Sequence, residues 1–394
     1  MACINLPRTA ALSTDIHPKL PIVASAINGG TEIHIMYLSA DRTEVIRDEV
    51  LKQARIAPNM TFHQTQPILA TASGQLDQTL EFESGHYSLS SNVTIYQLSA
   101  DGTSESRPIA TLVGHDSPVT AISFCPDDSD DSLQIATGDN EGVIRLWKIH
   151  GSVGSVGSVG SVGSVGSVGC VRFWKFHGSE ASVSFVSFVG SVGSVGSMGS
   201  MGSVECVSVF RSPFPTSECS ISTYLISSIH WMNQNTLVAS HWNGWAKSIQ
   251  YSETEKRFGV QPFFKTETGI LTCTRGHPSG DFFVTGGSGP NNGTIQVWSS
   301  TSLQNICTLG SISSSGIISM EYDTTRGLLI LGCVKEVVIV RISPAGDEMH
   351  VLSISALHRR YVTTVAVHTV DTSDGVETRI LSGTNGGDLV LSRI

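Results

Sequence analysis

Runs of alternating apolar and polar residues recur along the chain, separated by clusters of Gly, Asn, Asp and Pro. Almost nowhere does the apolar spacing hold the period of about 3.6 that marks a helix. The pattern predicts an all-β protein. Residues 119–124 (VTAISF), 134–137 (QIAT) and 143–147 (VIRLW) are expected to form three strands joined by polar turns, since side chains alternate across a pleated strand and turn residues tolerate the reversal.

The triplet then returns. Comparable units fall near 11–50, 60–114, 118–212, 222–263, 268–310, 315–355 and 361–394, seven in all. Most carry a small-residue strand in the middle: 22–25 (IVAS), 68–71 (ILAT), 237–240 (LVAS), 283–286 (FVTG), 329–332 (LILG) and 380–383 (ILSG). The third and seventh units align without a gap, 135–147 on 380–392, placing Thr137 over Ser382, Gly138 over Gly383, Asn140 over Asn385 and Gly142 over Gly387. Such periods signal repeated supersecondary units that bury their faces by stacking. Seven four-stranded antiparallel sheets stacked radially, with 1–394 as one domain, would leave few open edges. The last run, 388–394, has the place of a third strand. Residues 2–6 are then expected to supply the missing outer strand and close the ring.

These residues resemble the WD-repeat β-propeller family. In the third unit Gly114 and His115 precede the first strand, and the third strand ends on Trp147; the fifth unit has Trp298 at that place and the seventh has Ser392. His358 stands four residues before Val362, as His115 does before Val119. No Trp-Asp dipeptide occurs: Lys148 follows Trp147 and Ser299 follows Trp298. In this family a Trp N–H, a Ser or Thr hydroxyl, a His and a turn Asp brace each blade through a chain of hydrogen bonds. The resemblance implies that role for Trp147, Thr137 and His115, with Glu141 at the usual Asp position, and for Trp298, His358 and Ser382 in their own blades. It also implies partner binding on the face that carries the inter-blade connections and the second-to-third-strand turns. Asp116, Asp139, Trp242, Asn243, Trp245, Arg359, Arg360 and Tyr361 are the expected contact residues, as Trp, Tyr and Arg dominate binding hot spots.

Composition narrows the partners. The chain has 394 residues, of which 40% are hydrophobic, and a formal net charge of −10. That balance disfavours nucleic acid or anionic lipid as the main partner. Eight cysteines without a C-x-x-C pair indicate reduced thiols rather than a zinc knuckle or disulfide scaffold. The first residues lack a basic start followed by a long apolar core, and no long uncharged apolar stretch occurs. A soluble protein of the cytoplasm or nucleus is expected. Thirteen of the 39 glycines fall within 151–203, where Gly-Ser-Val recurs six times in succession. A period of three suits neither strand nor helix, so this stretch is expected to be a disordered, low-complexity insertion in the third blade. Within it, residues 169–179 (GCVRFWKFHGS) match 142–152 (GVIRLWKIHGS) at seven of eleven positions, as an extruded duplicate strand would. Residues 205–210 then resume the blade.

Catalytic signatures are few. His17, His63, Cys125, His277 and His368 fall where first strands meet their turns, but on different blades and without ligand spacing, so no metal site is expected. The acidic run 127–131 lacks the glycine and terminal glutamate of a calcium loop. First strands, expected to line the channel, carry hydroxyls and aliphatics, with His230 and Glu321 as exceptions. These features predict a non-catalytic, monomeric adaptor that needs no cofactor and binds proteins or peptides within a multiprotein complex. The alternative is a propeller enzyme acting in the channel, which three or more convergent carboxylates or histidines there would favour.

Overall fold

Val, Ile, Leu and Thr crowd the short runs and Gly, Asn and Asp the gaps, a combination that favours strands joined by tight turns. A computed structural model describes residues 2–5, 13–27, 32–39, 44–52, 59–76, 89–126, 132–150, 203–211, 225–252, 254, 257–260, 263–289, 292–323, 326–356, 358, 360–372, 375–384 and 388–393. Among these every element is a strand, and no helix is long and apolar enough to cross a membrane.

After β1 (Ala2–Asn5), the first blade comprises β2 (Ser13–Ile16), β3 (Ile22–Ile27), β4 (Glu32–Leu38) and β5 (Val45–Lys52). The second holds β6 (Met60–Phe62), β7 (Ile68–Leu76), β8 (Leu89–Gln97) and β9 (Arg107–His115), and the third β10 (Val119–Phe124), β11 (Ser132–Asp139), β12 (Val143–His150) and β13 (Ser203–Arg211). The fourth is β14 (Ile226–Asn233), β15 (Thr236–His241), β16 (Trp245–Ser252) and β17 (Arg257–Val260), with β18 (Phe264–Lys265) also paired to β16. The fifth is β19 (Ile270–Gly276), β20 (Phe282–Gly289), β21 (Asn292–Ser299) and β22 (Asn305–Leu309). The sixth is β23 (Ile317–Asp323), β24 (Leu328–Cys333), β25 (Val337–Ile342) and β26 (Met349–Ser355). In the seventh, β27 (Val362–Thr372), β28 (Gly375–Thr384) and β29 (Asp388–Arg393) are completed by β1, with Ala2 opposite Leu391 and Asn5 opposite Asp388.

Each first strand packs on the first strand of the next blade, from β2 through β6, β10, β14, β19, β23 and β27 and back to β2. That circuit is a closed seven-bladed propeller of antiparallel meanders, as the repeat spacing predicts. Ser203, placed at the end of the insertion by its composition, instead opens β13 opposite His150. Residues 151–202, with the duplicate strand, lie outside the described residues.

Apolar cores sit between blades. Ile95, Leu112, Phe124, Ile135 and Trp147 join blades two and three, while Ile144, Leu146, Ile229 and Trp231 join three and four. The second strands bring a small residue to each seam. A Cβ on Gly138 would lie 2.7 Å from Ile229 Cδ1 and 2.8 Å from Ile226 Cγ2 of the next blade. Gly286 and Gly332 meet Ile317 with Met320, and Val362 with Val365, in the same way. Polar clasps reinforce the seams near the channel: the Thr120 hydroxyl donates to the Ile226 carbonyl at 2.6 Å, and Thr272 to Ile317 at 2.5 Å. The Asn59 side chain donates to the Thr120 carbonyl.

Candidate functional site

In blade three the buried Trp147 indole donates to Thr137 Oγ1 at 2.8 Å, and His115 Nε2 lies 2.7 Å from the same hydroxyl. His115 Nδ1 meets Asp139 Oδ2 at 2.8 Å. Burial pushes the His115 imidazole below its ordinary value, against the opposing pull of Asp139. A neutral ring protonated on Nδ1 satisfies the whole chain of groups. The carboxylate in this network is Asp139, not Glu141. Asp139 ends β11, so its short side chain reaches His115 while Oδ1 accepts the Glu141 and Val143 amides at 3.0 and 2.9 Å. Glu141 sits exposed at the tip of the turn. Asp139 is therefore removed from the expected contact surface, and Glu141 from the bracing set.

The other blades keep only parts of this network. Trp298 donates to Thr285 Oγ1 at 2.9 Å, and His358 Nε2 lies 2.7 Å from Ser382 Oγ. In blade six the equivalent positions are the apolar Leu331 and Val340, both buried in the core.

One face gathers the connections between blades and the second-to-third-strand turns. The Asn140 amide bonds to the Pro118 carbonyl, Thr266 to Gly244, Ile312 to Gly293 and His358 to Lys335, and Val334 bridges Tyr361. Trp242 is 43% exposed there and Tyr361 51%. Asp116 and Arg360 are also exposed, and Arg359 lies outside the described residues. Trp245 is half-buried: Phe263 meets its ring edge-on at 6.4 Å and Lys265 Nζ lies 5.7 Å from its centroid. Asn243 caps its own turn by accepting the Trp245 amide at 3.3 Å. The exposed aromatics thus occupy blade four and the junction of blades six and seven.

Inside the ring, Asp15, Thr61, Ser123, His230, Arg275, Glu321 and Ala366 share one register position, opposite Ala24, Ala70, Ala136, Val238, Val284, Ile330 and Leu381. Asp15 and Arg275 are charged groups that the sequence reading passed over. The reason is that the register of the short β2 and of the last turn of β19 shows only once the sheets are paired. Arg275 Nε and Nη2 both lie 3.3 Å from Glu321 Oε2. The Ile16 and Phe62 amides donate to Asp15 Oδ1 and Oδ2, each at 2.9 Å. Burial raises the Asp15 carboxyl to about 7 and, together with Arg275, lowers the His230 imidazole to about 3. Arg275 and Glu321 remain 30% and 33% exposed, so these groups are hemmed in by protein but still reached by channel water.

One level further along stand His17, His63, Cys125, His277 and His368, where no metal site is expected, together with Met232 and Asp323. Their side chains are spent on turns and seams instead. His17 Nδ1 accepts the Lys19 and Leu20 amides, His63 Nδ1 the Thr65 and Gln66 amides, and His277 Nδ1 the Ser279 amide. The rings of His17, His63 and His277 pack on Phe62, Phe124 and Tyr322 of the following blades. Among the described residues no three His, Cys, Asp or Glu converge as metal ligands.

A family model for the WD domain, G-beta repeat, matches residues 106–148 and 261–299. A search of curated proteins finds no match. The two matched stretches hold the tryptophans bonded to Thr137 and Thr285, and they lie in a closed ring of seven four-stranded blades. The third and fifth blades thus carry WD-type repeats within a seven-bladed β-propeller.

Proposed function

We propose that this propeller is a non-catalytic adaptor of the cytoplasm or nucleus, holding a peptide or domain of another protein on the face that carries Trp242 and Tyr361. Propellers of this family typically serve as protein-interaction scaffolds. The carrying observation is the exposure of two large aromatics on turns of one face, with Asp116, Lys265 and Arg360 also exposed. A solvated loop has no need of such groups, and a binding surface does. The double variant Trp242→Ala with Arg360→Ala should lose most partners captured from lysate while its thermal melt stays unchanged. An unaltered partner set would refute the reading.

The channel supports a second reading. Asp15, Glu321 and His230 stand at one level of the inner strands, and a carboxyl near 7 suits proton transfer. Their commitments favour the adaptor. Glu321 is neutralised by Arg275, and an imidazole near 3 neither gives nor takes a proton at neutral pH. Hydrolase activity toward generic ester or phosphate substrates that Asp15→Asn abolishes would reverse this preference.

A further inference from the structure

Charge is spread unevenly over the face that carries the inter-blade connections. Asp116, Asn140 and Glu141 are exposed on the blade-three side, whereas Lys335, Arg360 and Tyr361 are exposed where blades six and seven meet. Val334 bridges Tyr361 in antiparallel fashion, which makes the next position along each segment, Lys335 and Arg360, neighbours. The His358 amide donates to the Lys335 carbonyl at 3.4 Å, holding the two segments together. Facing residues of an antiparallel pair have Cβ atoms about 5 Å apart, and like charges placed there repel. Among the described residues neither Lys335 nor Arg360 stands in an ion pair, and Oε2 of the adjacent Glu336 accepts the Ser313 hydroxyl at 2.8 Å. Lys335 carries a second cost. Its φ of 69° is the left-handed conformation that Gly or Asn ordinarily supplies in a tight turn. A long cation is thus held at a strained position beside another cation, in a chain whose net charge is −10. Backbone strain of this kind concentrates at functional sites.

We infer that Lys335, Arg360 and Tyr361 bind an extended acidic segment of a partner protein, with carboxylates at alternate positions. Residues i and i+2 of an extended chain point to the same side about 6.5–7 Å apart, so two such carboxylates can each meet one of the two cations. Tyr361 adds a hydroxyl donor and a ring for the apolar part of the segment. Neutralising the pair removes its repulsion, a gain that an uncharged segment does not offer. A nucleic acid needs a broad basic surface, and Asp116, Glu141 and Glu267 are exposed on the same face. The inference rests on the adaptor reading and gives its partner a chemical class.

Fluorescence anisotropy on the full chain at physiological salt tests the site with a labelled peptide containing Glu-Ser-Glu, its Gln-Ser-Gln counterpart, and a counterpart with one phosphoserine. The Glu peptide should bind at least about tenfold more tightly than the Gln peptide. Lys335→Gly removes one charge at a conformation that glycine adopts freely, so the thermal melt should hold or rise while affinity for the Glu peptide falls about tenfold. Arg360→Gln should lower it similarly, and Trp242→Ala, on blade four, should leave it unchanged. Equal binding of the Glu and Gln peptides, binding of the phosphoserine peptide alone, affinity unchanged in both Lys335→Gly and Arg360→Gln, or an equal loss in Trp242→Ala overturns the inference. In lysate capture, partners lost on Trp242→Ala but kept by Lys335→Gly retain the adaptor and overturn this site. A Glu peptide that binds as described, while captured partners ignore the loss of Trp242, sustains the site and removes the aromatic contact.

Discussion

At the scale of single residues, burial decides which polar groups carry structural weight. Asp139 and Glu141 are two positions apart on one turn; Asp139 is buried and meets His115 and the turn amides, while Glu141 is exposed. Removing a partner from a buried network leaves the others unsatisfied, at roughly 1–3 kcal/mol each. Asp139→Ala and Thr137→Ala should each lower denaturant stability by about that amount, while Glu141→Ala should stay within about 0.5 kcal/mol of the parent. Equal losses from Asp139→Ala and Glu141→Ala in urea melts would contradict the assignment. Lys247 makes a separate case. The residue is 1% exposed and burial lowers its ammonium to about 7, with Nζ 5.4 Å from the Phe263 ring centroid. Between pH 7 and 10.5 the unfolded chain binds more protons at this residue than the folded one, so stability rises with pH across that window. Lys247→Met should remove the slope and raise the melting temperature at pH 7. A melt profile that keeps its slope in the variant would place the titration elsewhere.

At the scale of elements, most strands were legible because turn residues punctuate them at regular intervals and apolar alternation fixes their faces. The resumption of blade three at β13 is an example: 205–210 alternates as an outer strand should, and it pairs with β12. The misassigned carboxylate had a physical origin. Spacing within a turn does not reveal which acid folds back and which points out, a choice set by where β11 ends. The channel charges were hidden for a related reason, since only pairing with Ala24 and Val284 brings Asp15 and Arg275 to one level. The glycines of the second strands were visible as a repeat, Gly138 over Gly383, but their purpose appears only across a seam, where the next blade's first strand leaves no room for a Cβ. Gly138→Val should force apart blades three and four and cost about 1–3 kcal/mol, or more if the strand cannot shift. The measurement is the urea midpoint. Gly280→Ala is a poor control, because its φ of 77° carries its own strain, whereas Gly259→Ala in β17, with nothing closer than the Gln250 carbonyl at 4.0 Å, should be mild.

At the scale of the whole molecule, stability depends on closure. Every first strand rests on its neighbours in both directions, so opening one seam exposes apolar surface on two blades at once. The seam between blades seven and one is the one the chain must close from its two ends. Ile16, Val23, Met36 and Leu38 of the first blade pack there with Ala366, Leu381 and Leu391 of the seventh, while β1 completes the seventh sheet along four residue pairs with β29. Deleting residues 1–5 would leave β29 as an unpaired edge and strip the seventh blade to three strands. The backbone pairing alone is worth about 2–4 kcal/mol at roughly 1 kcal/mol for each hydrogen bond. Since the seam core holds both neighbours, the loss should spread round the ring: one cooperative thermal transition at a lower temperature, together with concentration-dependent association through the bared edge. Calorimetry distinguishes this from local closure. If the truncated chain showed a small early step and then the parent's main transition unchanged, blade seven would fold independently and the ring would owe nothing to its N-terminal strand.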